Sequence, residues 1–335
     1  VKYQKFYRDD GMLLSKDEAY ALAYKKFSEI LFDEYVKRTI CHSLTLAELD
    51  NLPSHGFSRI PFYYAQAKSG KINIHASIGM NIADNAVMVS ADNGFAFPAI
   101  CRGLEKAEAL LKHNAIVLLT ISHSHHCGVL GQYVEQMARK GFVGFAFSNT
   151  PKAMAPFGGN AALFGTNPLA FGCPYGEDPL VIDMALSKAA RGKILTAKQK
   201  KESIPDDWAI DSCGNATTDP EKAMEGALLP IAGAKGTALA LLVEIMSASL
   251  TASSFSYQAS SFFEAEGPYP NIGQSFIFID PCRFNPHFQT SIQTLCAEIL
   301  KQKNTRIPGM KRFNCRAEKN RNGITISDDL YRKLL

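Results

Sequence analysis

The spacing of apolar residues changes several times along the chain, and each change predicts an element. In "AYALAYKKFSEILFDEY" (19–35) they return at helical period. Ser15 and Glu18 just ahead form an S-x-x-E capping box, so the spacing predicts an N-terminal helix. "NAVMVSADN" (85–93) alternates like a strand and runs into turn residues. "AICRGLEKAEALLKHN" (99–114) returns to helical spacing, and "AIVLLTI" (115–121) is a continuous apolar run of buried-strand length. "LGQYVEQMARKG" (130–141) predicts a helix ending at Gly141, and "FVGFAFSN" (142–149) a further buried strand. Helix and strand alternating in this way predict an α/β sheet, with ligands at the strand ends.

Beyond residue 150 the pattern loosens. "PFGGNAALFGTNPLAFGCP" (156–174) is too rich in Gly and Pro for regular structure throughout, and long loops of that kind are usually functional. "DPEKAMEGALLPIAGAKGTALALLVEIMSASL" (219–250) predicts a glycine turn feeding a nearly all-apolar core helix. Its apolar run is broken by Glu244 and is too short to span a membrane. There is no internal repeat.

A chain of 335 residues is long enough to bury a large core in two lobes. Net charge is only +4, from 36 basic and 32 acidic residues, without the concentrated basic face that nucleic acid requires. The one basic cluster, "KRFNCRAEKNRN" (311–322), reads as solvated surface. Eight scattered cysteines without a C-x-x-C pair read as reduced, mostly buried thiols of a cytoplasmic protein. The polar opening "VKYQKFYRDDG" resembles no targeting segment.

Four stretches carry candidate chemistry. "TISHSHHCGVLGQY" (120–133) holds His123, His125 and His126. H-x-H and H-H spacings occur in zinc sites, but the remaining histidines (42, 55, 75, 113, 287) are isolated and no second ligand motif supports one. The cluster could cap the next helix, or one imidazole could face a cleft and move protons. In "LPSHGFSRIP" (52–61), His55 and Arg59 lie four apart, so on one helical turn they would project together. An Arg grips a carboxylate with two parallel bonds and a His supplies a proton; the plainer alternative is a helix start with a surface salt bridge. Asp183 in "VIDMALSKAARGKI" stands at a strand end, where it could cap a following helix, orient a catalytic histidine or hold a cofactor hydroxyl. "AGAKGTALA" (232–240) sets a lysine between glycines at a helix start, a setting for phosphate. There is no G-x-G-x-x-G, no Walker A sequence and no G-x-S-x-G elbow.

In order along the chain, "SHGFSRIP" (54–61), "ADNGFA" (91–96), "HHCGVLGQY" (125–133), "SNTPKAMAPFGG" (148–159), "FGTNPLAF" (164–171), "VIDMALSKAARGKI" (181–194), "IPDDWAIDSCGNATTDP" (204–220) and "LPIAGAKG" (229–236) resemble the type-2 malate/L-lactate dehydrogenases. The resemblance covers about residues 40–310. It implies an α/β fold with a non-Rossmann mixed sheet in two lobes: 1–120 plus 280–335 for substrate and dimerisation, and 121–279 for the cofactor. It further implies a cytoplasmic homodimer without metal that uses NADPH or NADH and transfers hydride to or from a small carboxylate substrate. By the same resemblance His55 is the proton donor, with Ser54 as its polar neighbour, and Arg59 binds the carboxylate. His126 lies at the cleft as an alternative acid/base, and Asp183 belongs with the catalytic group. Thr150, Thr166, Asp183, Met184, Ala185, Lys235 and Gly236, together with His126, Pro308 and Gly309, fall where the family contacts its cofactor.

Departures from the family bear on the substrate. Asn51, Leu52 and Pro53 replace the residues usual before Ser54, Cys127 replaces an aromatic, Leu186 a threonine and Met310 a glutamate. "HHCGVLG" (125–131), "DMALSKAARGKI" (183–194) and "QASSFFEAEG" (258–267) are similar to the branch that reduces Δ1-pyrroline- and Δ1-piperideine-2-carboxylate. A Leu-Pro rim and a small Cys127 would suit such a ring. The expected substrate is therefore a cyclic imino acid, with a 2-hydroxy acid as the alternative and a histidine-cluster metal hydrolase as the rival from another class.

Overall fold

The computed structural model describes residues 7–8 and 11–335, so most of the polar opening stretch lies outside the described residues. The frame is a seven-stranded mixed sheet. Its strands in chain order are β1 (Gly79–Ala83), β2 (Ala86–Ser90), β3 (Ile116–Ser124), β4 (Val143–Ser148), β5 (Leu169–Cys173), β6 (Leu180–Met184) and β7 (Ile272–Ile279). Across the sheet they run β1-β2-β3-β7-β4-β5-β6, with β2 and β3 parallel and every other neighbour antiparallel. The late strand β7 lies between β3 and β4, so the sheet joins residues 79–124, 143–184 and 272–279 in one layer.

This topology decides where chemistry can collect. β3 and β4 are both antiparallel to β7, so Ser124 and Ser148 end on the same side, opposite Ile272 and Gln274. Leu169 at the start of β5 pairs with Phe147 and with Met184 at the end of β6. The histidine turn, the Asn149–Thr150 turn, the Thr166–Asn167 turn and Asp183 therefore share one end of the sheet.

The first five helices are α1 (Lys16–Ser28), α2 (Glu34–Leu49), α3 (Ile60–Ser69), α4 (Ala96–Leu111) and α5 (Gly131–Ala138). The Ser15 capping box forms as the sequence predicts, with both reciprocal bonds present. Val117, Leu119 and Ile121 of β3, Phe276 and Phe278 of β7, and Ile100, Leu104, Val134 and Met137 of the helices build the main core. Each such side chain contributes about 1.5–3 kcal/mol on burial. A second core joins α1, α2 and α3 to a small sheet through Leu22, Phe27, Leu44, Tyr63 and Ile324.

The stretch 156–174, irregular overall as the sequence predicts, contains one short strand, β5, whose pattern is hidden by the Gly and Pro on either side. Two expectations are corrected here. The run at 115–121 is buried on one face only; Ile116 is exposed and Leu118 and Thr120 are half-open. The apolar stretch after residue 233 does form a helix, Ala234–Glu244, but Leu239, Leu241 and Leu242 are exposed, so it is no core helix. Composition alone cannot separate a helix facing its own core from one facing outward.

That helix continues into a π-helical turn, Ile245–Ser249. At the junction Glu244 is buried, and its carboxylate accepts bonds from the side-chain nitrogens of Asn149 and Asn167 and from the backbone N–H and hydroxyl of Ser256. Among the described residues no helix is long and apolar enough to cross a membrane.

Candidate active site

The stretch after α2 folds as two successive 3-10 turns, Pro53–His55 and Phe57–Arg59, before α3 begins at Ile60. His55 and Arg59 therefore do not share one α-helical turn, although they stay close: the Arg59 Nε donates to the Ser54 carbonyl at 2.7 Å. The expected surface salt bridge is absent. No carboxylate pairs with Arg59 among the described residues, and neither terminal nitrogen of its guanidinium has a protein partner. The guanidinium lies instead over the Phe263 ring, 4.8 Å from its centroid. Burial pulls its pKa below the ordinary arginine value.

Two imidazoles face this region. The His55 and His126 rings stack with centroids 5.6 Å apart and planes 29° from parallel. Ser54 Oγ lies 3.0 Å from His55 Nδ1. His126 Nδ1 accepts the Gly128 N–H at 3.3 Å and lies 2.5 Å from the Tyr63 hydroxyl. A backbone N–H can only donate, so Nδ1 is an acceptor and the neutral ring carries its proton on Nε2. Gly128 has φ +72°, and a Cβ there would meet the Phe97 ring at 2.8 Å, so the turn that aims this N–H needs glycine.

Both rings are held neutral. Burial, then the Arg59 charge, lowers His55 from 6.5 to about 4. The same two causes hold His126 well below the usual range, with smaller contributions from His55 and His125. His125 is fully buried and lowered to about 3 by burial first and then by Lys71 and Arg59. It packs against Tyr63 and Phe262, and neither ring nitrogen has a hydrogen-bond partner. His123, by contrast, sits at the exposed end of β3 against Ser90 and Ser122. Among the described residues no group of three or more His, Cys, Asp or Glu is disposed to hold a metal ion.

Asp183 caps a helix, but not the one expected. The helix after it begins only at Arg191, and the Asp183 carboxylate instead accepts the Gly131 N–H, at the start of α5, at 2.9 Å. A Cβ on Gly131 would fall 2.6 Å from that oxygen, so close approach requires glycine. Burial pushes the Asp183 carboxyl up, against the pull of Arg312 and the Gly131 N–H. Arg312 Nη1 lies 3.7 Å from it and links it to Asp50 and Glu135. Arg316 binds both of those carboxylates in two-pronged contacts of 2.5–2.9 Å.

The Thr150 and Thr166 hydroxyls are 3.4 Å apart, and the Thr166 N–H donates to Thr150 Oγ1. Met184 and Ala185 follow Asp183 at the half-open end of β6. Lys235 is exposed in the first turn of Ala234–Glu244, and Gly236 is buried, its Cα against the Ile231 carbonyl where no Cβ would fit. Pro308 and Gly309 precede the Met310–Asn322 helix, with Gly309 beside Val181 of β6.

Cys127 corrects the pocket argument. It is buried in the main core, with its sulfur toward the Ser148 hydroxyl and its carbonyl accepting the Tyr133 hydroxyl. Its side chain therefore packs into the core beneath the turn.

The residues that sequence reasoning missed are Tyr63, Phe262, Phe263, Gln66 and Lys71. Arg59, Tyr63 and Gln66 fall at i, i+4 and i+7 along α3, a spacing that would have flagged the last two.

The mixed sheet gathers at one end two neutral imidazoles beside an arginine that has no carboxylate partner among the described residues, an arrangement outside the Rossmann class. Residues 14–335 match the malate/L-lactate dehydrogenase family, and the chain belongs to it. It is 45% identical over 92% of both chains to the (2R)-3-sulfolactate dehydrogenase (NADP(+)) of Chromohalobacter salexigens. It is 34% identical over 97% of both to a Δ1-pyrroline-2-carboxylate reductase of Ancylobacter novellus. Among solved structures, Δ1-piperideine-2-carboxylate reductase from Pseudomonas syringae superposes with a TM-score of 0.90 at 30% identity, covering 96% of this chain and 98% of that one. Sulfolactate dehydrogenase from Methanocaldococcus jannaschii gives 0.90 at 29%, covering 96% and 95%.

Proposed function

We propose that the chain is an NAD(P)-dependent dehydrogenase of a short 2-hydroxy acid of the 3-sulfolactate type. The observation that carries this reading is the Arg59 guanidinium, half-buried and without a carboxylate partner, beside two neutral imidazoles. A buried cation left unpaired is costly unless a ligand pairs it. The likeness to the sulfolactate enzyme exceeds that to the imine reductases, 45% against 34% identity, and the inward-facing Cys127 removes the argument for a roomier ring pocket.

The residues expected at a dinucleotide fit one. Lys235 and the unbonded N–H groups of its helix start are the donor set that suits a phosphate. Thr150, Thr166 and Asp183 supply hydroxyl and carboxylate partners nearby, with Met184, Ala185, Gly236, Pro308 and Gly309 as backbone around them. The cofactor, when bound, accepts or supplies the hydride.

Arg59 would hold the substrate carboxylate with both prongs, which keeps the reacting carbon at the imidazoles. His126, locked with its proton on Nε2, donates a hydrogen bond to the substrate oxygen. His55, neutral and backed by Ser54, takes the hydroxyl proton as the hydride leaves and returns it in reduction. A bound carboxylate cancels part of the Arg59 charge, which raises the His55 pKa and lets the ring take the proton more readily.

The apolar face opposite the main core supports a homodimer. β1 is an edge strand exposed at all five positions, and Met80, Met88 and Leu250 line one groove. A second copy of this chain is the occupant we propose, which sedimentation at two concentrations would test. The direct test of function is a panel of (2R)-3-sulfolactate, malate, lactate and the two cyclic imines with both cofactors. Oxidation of sulfolactate is expected. Turnover confined to the imines would overturn the assignment in favour of the second reading, which the Pseudomonas syringae likeness supports.

A further inference from the structure

Residues 261–266 (SFFEAE) have no regular secondary structure, yet they are held as firmly as a helix turn. Lys71 is almost wholly buried, and its ammonium donates to three backbone carbonyls of this segment: Ser261 at 2.7 Å, Glu264 at 3.0 Å and Glu266 at 3.1 Å. Gln66 Nε2 donates to the Glu264 carbonyl at 2.9 Å, and the Ser69 hydroxyl to the Ala265 carbonyl at 2.6 Å. The Ser260 hydroxyl bonds to the Pro268 carbonyl and ties the two ends together. A lysine buried without a carboxylate in contact satisfies its three protons only in this arrangement.

What the segment presents is aromatic. Phe262 is buried, with its ring 5.1 Å from that of His125 and 5.2 Å from that of His126. Phe263 is 54% exposed, stands edge-on to Phe62 at 5.4 Å and lies under the Arg59 guanidinium. One element orders both sides: α3 starts after Arg59 and ends beside the pinning residues Gln66, Ser69 and Lys71.

We propose that this strap is the wall that sets substrate preference, that Phe263 is its specificity-determining residue, and that Lys71 is a positioning residue acting through it. The inference rests on the reading of Arg59 as the carboxylate holder. With the carboxylate fixed at Arg59 and the reacting carbon at the imidazoles, the rest of the substrate must run along Phe262 and Phe263. The ring under the guanidinium also holds the plane of its fork, by cation–π attraction.

The test is a kinetic double-mutant cycle of Lys71→Met and Phe263→Ala, with Arg59→Lys as reference, using the best acid of the substrate panel and lactate as the acid lacking a 3-substituent. Each of the two variants should raise KM for the acid by about three- to thirtyfold, leave KM for the cofactor unchanged, and change the ratio of kcat/KM between the two acids. The double variant should be no worse than the poorer single one, because both act through one ring. A Lys71→Met protein with a lower Tm, unaltered KM and unaltered substrate ratio would assign the lysine to stability alone and overturn the proposal. Should Lys71→Met fail to fold, Phe263→Ala, a change at an exposed side chain, decides by itself: an unchanged KM and ratio overturn the proposal. If Arg59→Lys raises KM and the strap variants do not, the strap fails while the functional reading stands. If Arg59→Lys leaves KM unchanged, that reading falls and the strap with it.

Discussion

Two groups of half-buried arginine in this molecule are built to opposite rules. Arg316 is bound on both prongs by Asp50 and Glu135, and Arg312 stands among Asp50, Glu135 and Asp183, so charge balances locally. Among the described residues Arg59 has only the Ser54 carbonyl and an aromatic ring. The first group joins α2, α5, β6 and the Met310–Asn322 helix, and its ions satisfy one another. The second leaves a guanidinium fork open and depresses the neighbouring imidazoles. A paired buried cation marks architecture, whereas an unpaired one marks a place kept for an anion.

Mutations should separate the two groups cleanly. The largest effect is expected from His55→Gln, which should lower kcat by about 10²–10⁴-fold with little change in Tm; a loss under tenfold would remove His55 as the proton carrier. Next comes Arg316→Met, which leaves Asp50 and Glu135 buried without their main partner. Denaturant unfolding should show a loss of about 3–5 kcal/mol, while KM for the acid stays put in the folded fraction. A raised KM with intact stability would reverse the roles of the two groups.

Arg59→Lys should raise KM for the acid by about tenfold or more with a smaller change in kcat, because a point charge cannot reproduce the two-pronged contact. The smallest effect at neutral pH is expected from His125→Leu. His55 and His125 sit at about 4 and about 3 in the folded state, against about 6.5 unfolded. Below 6.5 the unfolded chain therefore binds more protons, and stability falls as pH drops from about 6.5 toward 4, by roughly 1.4 kcal/mol per unit for each such histidine. His125→Leu should remove its share of that slope and leave stability at pH 7.5 nearly unchanged. A slope equal to wild type would mean that His125 is protonated in the fold.

The alternation of strand and helix up to residue 150 was legible in the sequence, because those elements carry one clear period each. β5 was not, since Gly and Pro on both sides made its five residues look like loop. Ser54, His55, Arg59, His126 and Asp183 could be singled out by residue type and motif order. Their partners could not: the Gly131 N–H that Asp183 caps lies 52 positions away, and the Tyr63 hydroxyl lies 63 from His126. The direction of Cys127 also escaped, because a turn residue carries no period that says which way it faces. Periodicity reports local geometry, whereas the site is made by β7 bringing β3 and β4 together from far along the chain.

The stripe along α3 has one more consequence. Arg59 at the cap of α3 and Tyr63 and Gln66 within it share a face because a helix turns about 100° per residue, and each has its own partner: the Phe263 ring, His126 and the Glu264 carbonyl. One residue added or deleted within 60–62 would swing Tyr63 and Gln66 about 100° off that line and part both from Arg59 at once. Side chains along α3 are free to drift, but its length is not. The helix acts as a gauge block, and substrate range can evolve by exchanging rings on the strap only while that gauge keeps its count.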